Sequence, residues 1–302
     1  MVFKEDSPWS WPVPRFMVGR HENCKDVNAT LAHEEDESDC ERAFEIADIL
    51  ELGFARELVT DFMHPLRRSS RLWRFHVVRA HDRVQYRLFS DDGDFLMYAK
   101  AFPEARKVQF HLYNPSDREN SLYDPTRPAF TMTYNDATTH WNLVQEKCEN
   151  CQFSPKHMSC SMCGKQQVAF LRHDRIAIGE GRFNCMEMHV PGLYSDESRV
   201  VWCPKLGRDS LARQSHLDTY ESQMVVTKQP VWNDDVGSLV LDFKGRSVLS
   251  SAKNFQLALV QKPDYVICQY GKIGSNTFAL DFRYPLSVIQ AFGTAMSTMF
   301  WA

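Results

Sequence analysis

Four cysteines in the middle of the chain have the spacing of a metal site. Cys148 and Cys151 form one C-x-x-C pair, and Cys160 and Cys163 form a second pair after eight intervening residues. Each pair can present two thiolates to one ion, so the four could complete a tetrahedral, four-cysteine zinc site with Zn–S distances of about 2.3 Å. The pattern predicts a structural zinc ion that staples the loop at residues 146–165.

Other chemistries for this region are less well supported. Four unligated thiols or a redox pair are the alternatives, and His157 could replace one thiolate as a ligand. An open catalytic zinc would need fewer protein ligands, and no H-E-x-x-H or deaminase signature accompanies the cysteines. No nucleophile elbow, phosphate-binding loop or dinucleotide fingerprint occurs either, and we expect His140 and His173 to be surface or satisfied residues. We therefore expect no enzymatic activity.

Composition limits the partners and the compartment. The chain has 302 residues, a net charge of −4 and 43% hydrophobic content, enough for one large all-β domain or two ordinary domains. Because the net charge creates no basic field over the whole chain, we expect no nucleic-acid partner. We also expect a monomer. The N-terminal residues lack a secretory pattern, which predicts a cytoplasmic, reducing location. We therefore predict that the remaining cysteines are reduced core residues: Cys24, Cys40, Cys185, Cys203 and Cys268.

The N-terminal part divides into two segments. Residues 1–35 mix tryptophan and proline with polar residues without a steady period, which predicts a partly disordered segment. A capping box, Ser38-x-x-Glu41, and apolar residues at helical spacing predict an amphipathic helix over residues 36–61. Its outward residues are acidic, which is typical of a solvated face: Asp39, Glu41, Glu45, Asp48 and Glu51.

Beyond residue 62 the pattern is β throughout. The predicted strands cover residues 72–79, 84–89, 95–99, 108–113, 129–134, 141–145, 167–171, 185–190, 199–203, 223–227, 238–243, 255–260, 265–270 and 277–282. No helix-length segments separate them, so parallel crossovers are excluded and a barrel or sandwich is favoured. Closure into a barrel would also hide the sheet edges.

The C-terminal segment predicts a buried helix. We expect Pro285 at its first helical position, followed by residues 286–302, which are apolar or small on every side. Such a helix is about 25 Å long, which is short for a hydrocarbon core of about 30 Å but suitable for filling a closed barrel. We therefore predict that it plugs the sheet and does not span a membrane.

These C-terminal residues resemble the tubby-like family. The matching segments occur in one order at 228–235 (KQPVWNDD), 240–246 (VLDFKGR), 253–256 (KNFQ), 263–266 (PDYV) and 278–286 (FALDFRYPL). Upstream, 114–117 (NPSD) and 189–192 (HVPG) carry a weaker, collinear resemblance. The resemblance implies that residues 62–302 form a mainly β, closed antiparallel barrel of about twelve strands around a central hydrophobic C-terminal helix. Phospholipid scramblases share that architecture, but the residues here are similar to tubby-like proteins.

The resemblance also implies phosphoinositide binding. Tubby-like domains grip a bisphosphorylated headgroup with a Lys-x-Arg pair on a strand, and the segment 130–135 (FTMTYN) places Thr133 and Asn135 at those two positions. Neutral hydrogen bonds to phosphate are roughly half as strong as charge-assisted ones. Nearby basic residues could compensate, although an ordinary solvated turn is the simpler interpretation of Arg106 and Lys107; the basic candidates are Lys100, Arg106, Lys107, Lys165 and Arg172.

Two functional hypotheses follow from the resemblance and the cysteines. The first is a non-enzymatic adaptor that binds phosphoinositide headgroups and lies peripherally on the plasma membrane or on the ciliary or flagellar membrane, with a protein cargo or a transport complex as partner. Ciliary family members carry a basic N-terminal helix, whereas the helix predicted here is acidic, which disfavours that transport complex. The alternative is a zinc-stapled protein-interaction scaffold with lost or altered phosphoinositide binding.

Overall fold

The computed structural model describes residues 62–66, 68–112, 128–146, 166–178, 181–195, 198–203, 210–214, 221–235, 237–243 and 245–301. The strands are β1 (Trp73–Arg79), β2 (Gln85–Ser90), β3 (Phe95–Phe102), β4 (Lys107–Leu112), β5 (Phe130–Tyr134), β6 (His140–Gln145), β7 (Gln166–Ile178), β8 (Gly181–Pro191), β9 (Ser222–Thr227), β10 (Val231–Asn233), β11 (Ser238–Val240), β12 (Phe255–Leu259), β13 (Lys262–Lys272) and β14 (Thr277–Phe282). Helix α1 (Val288–Ser297) continues into a 3-10 turn, Thr298–Phe300, and shorter 3-10 turns cover Pro103–Ala105 and Leu211–Gln214. The predictions for residues 1–35 and 36–61 lie outside the described residues.

Twelve of these strands form a closed antiparallel barrel in the order β1-β14-β13-β12-β9-β8-β7-β6-β5-β4-β3-β2. Strand β1 closes the ring, because it pairs with β2 on one side and with β14 on the other. Strands β10 and β11 pair with each other in a separate two-stranded sheet between β9 and β12 in the chain. The mainly β, closed barrel predicted from the sequence is confirmed.

Alternating side chains along each strand decide what lies inside the barrel. In β2, for example, Tyr86 and Leu88 are buried and the residues beside them are partly exposed. Buried residues from strands around the ring join α1 in one apolar cluster, in which the Phe110 and Phe292 rings meet edge-on at 5.6 Å. A Cβ on Gly293 would lie 2.9 Å from Leu143 Cδ2, so glycine allows the helix to approach β6 closely.

The central helix is confirmed, but its start was predicted wrongly. All ten residues of α1 are buried, as expected for a helix that is apolar on every side. Its N-cap is Ser287, so Pro285 is not its first residue. A reciprocal capping box fixes this start: Ser287 N donates to Gln290 Oε1 at 2.9 Å, and Gln290 N donates to Ser287 Oγ at 3.4 Å. Within the described residues, no helix is long and apolar enough to cross a bilayer.

Two predicted strands differ in the structure. Residues 199–203 form only isolated bridges, between Arg199 and Leu193 and between Trp202 and Gln167 of β7, and not a strand. Val200 and Trp202 instead pack with Phe170 of β7 and with Leu211 in a second, smaller cluster. The predicted strand at 238–243 shortens to β11, which lies outside the barrel and pairs with β10, a strand that was not predicted.

The helix gives the barrel two distinct ends. We call the end where α1 begins the N-end; Ser287 there forms an isolated bridge with Pro65. We call the end where α1 finishes the C-end; Phe300 there contacts the rings of Tyr134 and Trp141. The turns that join β1 to β2, β3 to β4 and β5 to β6 lie at the C-end, since these strands alternate in direction.

Candidate functional site

Two predicted lysines lie together on the outer wall of the barrel near the C-end. Lys100 of β3 and Lys107 of β4 are on the outward face, because the residues that flank them in each strand are buried in the barrel. Their Nζ atoms lie 5.3 Å and 5.4 Å from the centroid of the same ring, that of Phe102. Phe102 is the direct register partner of Lys107, so both cations contact the same aromatic side chain.

Thr133 lies directly beside this pair. It is exposed on β5, where its register partners are Lys107 on one side and Asn142 of β6 on the other. We call Lys100, Lys107, Thr133 and Asn142 the wall cluster. Asn142 was not predicted, and its Oδ1 accepts a hydrogen bond from Gln167 Nε2. Only the strand register could have identified it, because nothing in the local sequence distinguishes it.

Asn135 is engaged in the turn between β5 and β6. Its Oδ1 accepts hydrogen bonds from the backbone N of Thr139 at 2.8 Å and of His140 at 3.0 Å. Its Nδ2 lies 3.0 Å from Thr139 Oγ1 and 3.2 Å from His140 Nδ1. The amide therefore closes the turn in the way that asparagine commonly does.

The two predicted arginines are each paired with a carboxylate. Arg106, in a left-handed conformation with φ of 49°, forms an ion pair with Asp136, and both side chains are exposed. Arg172 of β7 lies 2.7 Å from Glu187 of β8, its register partner. Exposed pairs of this kind contribute little to stability, and a phosphate would have to compete with the carboxylate for each guanidinium. Lys100 and Lys107, by contrast, lie against the Phe102 ring.

Some of the predicted site residues lie outside the described residues. These are Lys165 and the four zinc candidates, Cys148, Cys151, Cys160 and Cys163. The chain leaves the described part after Glu146 and returns at Gln166, both at the N-end, whereas the wall cluster lies near the C-end. Among the described residues, no group of three or more His, Cys, Asp or Glu side chains could hold a metal ion. Cys203 and Cys268 are buried, as predicted, and Cys185 is partly buried.

His173 is a satisfied buried residue, as expected from the sequence. Trp301 Nε1 donates to its Nδ1 at 3.0 Å, so Nε2 carries the proton and donates to Ser297 Oγ at 3.0 Å. The Ser297 hydroxyl in turn donates to the Thr294 carbonyl at 2.7 Å. Burial, with a smaller contribution from nearby His140, lowers the pKa of His173 to about 4. The imidazole is therefore neutral near pH 7 and serves the packing of the helix end.

The wall cluster can bind an anion through charge and hydrogen bonding. Two ammonium groups supply charge-assisted donors, and the Thr133 hydroxyl and the Asn142 amide are neutral polar groups beside them. This chemistry suits a phosphate group at the barrel surface.

Comparison with known proteins identifies the relatives of this chain. The model of the Tub family matches residues 63–300. The chain is 36% identical to Tubby-related protein 1 of Mus musculus over 135 residues, which cover 44% of the chain and 25% of that protein. It is 33% identical to Tubby protein homolog 1 of Caenorhabditis briggsae over 151 residues, covering 48% and 36%. It is 38% identical to Protein king tubby 2 of Culex quinquefasciatus over 119 residues, covering 37% and 27%. The matched part is therefore about a quarter to a third of the length of these curated relatives.

Proposed function

The chain belongs to the Tub family, and from that premise we propose that it is a non-enzymatic adaptor that binds phosphoinositide headgroups at membrane surfaces through the wall cluster. One observation carries the proposal. Lys107 lies directly opposite Thr133, the position where the family resemblance expects a lysine. A cation is thus one strand away from its expected place, and Lys100 joins it at Phe102.

The number of cations determines the kind of lipid that would bind. Each lysine near an anionic surface contributes only about 1 kcal/mol, so two lysines cannot hold a singly charged lipid firmly. A bisphosphorylated headgroup carries enough charge to engage both lysines at once, with Thr133 as a neutral donor. We therefore expect weak binding that requires multiply phosphorylated lipid and falls as salt increases.

Co-sedimentation with liposomes tests this proposal. Wild-type protein should be recovered with phosphatidylcholine vesicles that contain phosphatidylinositol 4,5-bisphosphate, and not with phosphatidylcholine alone. The double variant Lys100→Gln, Lys107→Gln should lose most of that recovery, because both charge-assisted contacts are gone. Arg172→Gln, which removes a cation paired with Glu187, is the matched control and should retain it. Equal recovery of wild type and double variant would refute the site.

The cellular role belongs to the same proposal. We propose that the adaptor works in the cytoplasm, bound peripherally to the plasma membrane or to a ciliary or flagellar membrane, where it recruits protein cargo. The support is the family membership together with the two lysines of the wall cluster on the outside of a plugged barrel. Imaging of the tagged chain before and after acute depletion of the lipid would test this location.

A second candidate function rests on different residues. The amide of Asn135 closes a turn, so the position expected to hold the family arginine is occupied by a structural residue. Together with the doubled C-x-x-C pairs at Cys148, Cys151, Cys160 and Cys163, this favours a zinc-stapled protein-interaction scaffold with lost or altered lipid binding. Elemental analysis should then find about one zinc per chain, lost in the Cys160→Ser, Cys163→Ser variant. Absence of zinc from protein purified without chelator would count against it.

A further inference from the structure

A cavity opens at the N-end of the barrel, away from the wall cluster. Its volume is about 440 Å³, and four parts of the chain form its wall. Arg68 comes from the segment before β1, Gln223 from the start of β9, Lys262 and Tyr265 from β13, and Tyr284 from the link between β14 and α1. The volume is within the range of small-molecule sites in proteins.

Arginine–tyrosine stacking holds two walls of the cavity in place. The Arg68 guanidinium lies 4.3 Å from the Tyr284 ring centroid and donates to its hydroxyl at 2.9 Å. The Arg283 guanidinium lies 3.8 Å from the Tyr265 ring centroid and donates to the Val266 carbonyl at 2.6 Å and 2.9 Å. Arg283 also donates to the carbonyl of Ser70, which fixes the segment that carries Arg68. The cavity is therefore preorganised, which reduces the entropy lost on binding.

The charge of the lining favours an anion. Arg68 and Lys262 contribute two cations, and none of the described residues that line the cavity is an aspartate or glutamate. Asp264, next to Tyr265 in sequence, has a fully exposed carboxylate 3.8 Å from Lys228 Nζ, and neither residue belongs to the lining. An arginine and a lysine that converge on a cavity are the usual ligands of phosphate.

Gln223 adds a requirement for a hydrogen-bond donor. Its Oε1 is buried and has no hydrogen-bond partner among the described residues. A buried acceptor without a donor costs about 1–3 kcal/mol. The atom has almost no accessible surface, so a ligand hydroxyl recovers that energy when the amide turns towards the cavity. An ionised phosphate oxygen cannot satisfy this atom, because it has no hydrogen to donate, whereas a hydroxyl can. The ligand must carry an anionic group for the cations and a hydroxyl for the glutamine.

We propose that the N-end cavity is a second binding site, separate from the wall cluster, that takes a phosphorylated polyol. The phosphate lies against Arg68 and Lys262, a ligand hydroxyl donates to Gln223, and the carbon skeleton packs between the faces of Tyr265 and Tyr284. This chemistry can come from a soluble polyol phosphate or from a lipid headgroup, and the experiment distinguishes the two sources.

Titration calorimetry with sn-glycerol 3-phosphate tests the site with the smallest probe that carries both groups. We expect binding at least tenfold tighter than that of inorganic sulfate or of glycerol alone, since each of these supplies only half of the contacts. Lys262→Gln should weaken glycerol 3-phosphate binding about tenfold. Gln223→Leu should weaken it as well but leave the affinity for inorganic sulfate unchanged, because sulfate has no hydroxyl to donate.

Two controls separate this site from the wall cluster and from the lipid source. Lys107→Gln should bind glycerol 3-phosphate as the wild type does, and Lys262→Gln should keep its recovery on vesicles with phosphatidylinositol 4,5-bisphosphate. Recovery on phosphatidylglycerol vesicles that depends on Lys262 would assign a lipid source, and soluble binding without such recovery would assign a free ligand. No binding of either probe at millimolar concentration, or binding unaffected by Lys262→Gln, would overturn the proposal.

Discussion

The two ends of helix α1 are held by side chains at different distances along the sequence. At the N-end, the first turn is capped by Ser287 and Gln290, which are three residues apart. At the C-end, Lys253 Nζ donates to the carbonyls of Thr298 at 3.0 Å, Met299 at 2.6 Å and Trp301 at 2.9 Å, from 45 to 48 residues away in sequence. The end of a helix leaves carbonyls without intrahelical donors, and here a distant cation donates to three carbonyls in or just after the 3-10 turn that continues α1.

The difference shows where the barrel depends on its tertiary structure. The N-end cap can form as soon as the helix forms, because both of its residues lie within the first turn. The C-end contacts exist only after the segment that carries Lys253 and the strand that carries His173 are in place around α1. The C-end is therefore expected to be the more sensitive to single substitutions, and three experiments compare the two ends.

Replacing Lys253 by methionine should have the largest effect. Methionine keeps most of the apolar stem but leaves three carbonyls without their charged donor, and water can reach only part of this site. Burial, followed by the positive charge of Arg79, lowers the pKa of Lys253 to about 8, so the ammonium is charged at pH 7. We expect the free energy of unfolding at pH 7 to fall by about 3 kcal/mol, measured by urea unfolding followed by tryptophan fluorescence.

Lys262→Met is the matched control at the N-end. It removes the same charge from an exposed residue of β13, and we expect a change of no more than about 0.5 kcal/mol. Similar losses in the two variants would show that removing a lysine charge, and not the helix end, accounts for the effect of Lys253.

Acid should destabilise the C-end through His173. Because burial lowers the pKa of His173 from 6.5 to about 4, the unfolded chain binds a proton that the folded chain does not. The stabilisation is complete above pH 6.5 and is lost as the pH falls towards 4, with a loss of about 2 kcal/mol by pH 5. His173→Gln has no group that titrates there, so its unfolding free energy should fall less than that of the wild type between pH 7 and pH 5. Parallel pH profiles would contradict the buried, neutral histidine.

The same difference between local and distant contacts explains which parts of the fold can be predicted from the sequence. The closed barrel and the buried helix follow from periodicity, from the apolar C-terminal segment and from the family resemblance, all of which are visible along the chain. The true helix start is also visible in the sequence, since Ser287-x-x-Gln290 has the pattern of a capping box, but Pro285 indicates an earlier start. The segment 199–203 has strand composition, yet it meets β7 only at the bridge between Trp202 and Gln167 and otherwise packs through side chains.

The candidate sites were harder to predict because they depend on register. Lys100 and Lys107 could be chosen as basic residues, but their shared contact with Phe102 appears only when β3 and β4 are aligned. Asn135 looked like a ligand position in the sequence, whereas the structure shows its amide within a turn. The N-end cavity joins residues from β9, β13 and the segment before β1, so no local pattern could indicate it.

Removing the local cap at the N-end should have the smallest effect of the three experiments. Ser287→Ala removes the hydroxyl that accepts from Gln290 N, and we expect a loss of about 1 kcal/mol in the free energy of unfolding, as for other N-caps. Ser297→Ala is the matched variant at the C-end: it also removes one buried hydroxyl but leaves His173 Nε2–H without its acceptor, so about 2 kcal/mol should be lost. Urea unfolding at pH 7 measures both. If Ser287→Ala is the more damaging change, then the first turn of α1 stabilises the helix in the barrel more than the network of distant side chains at its C-end does.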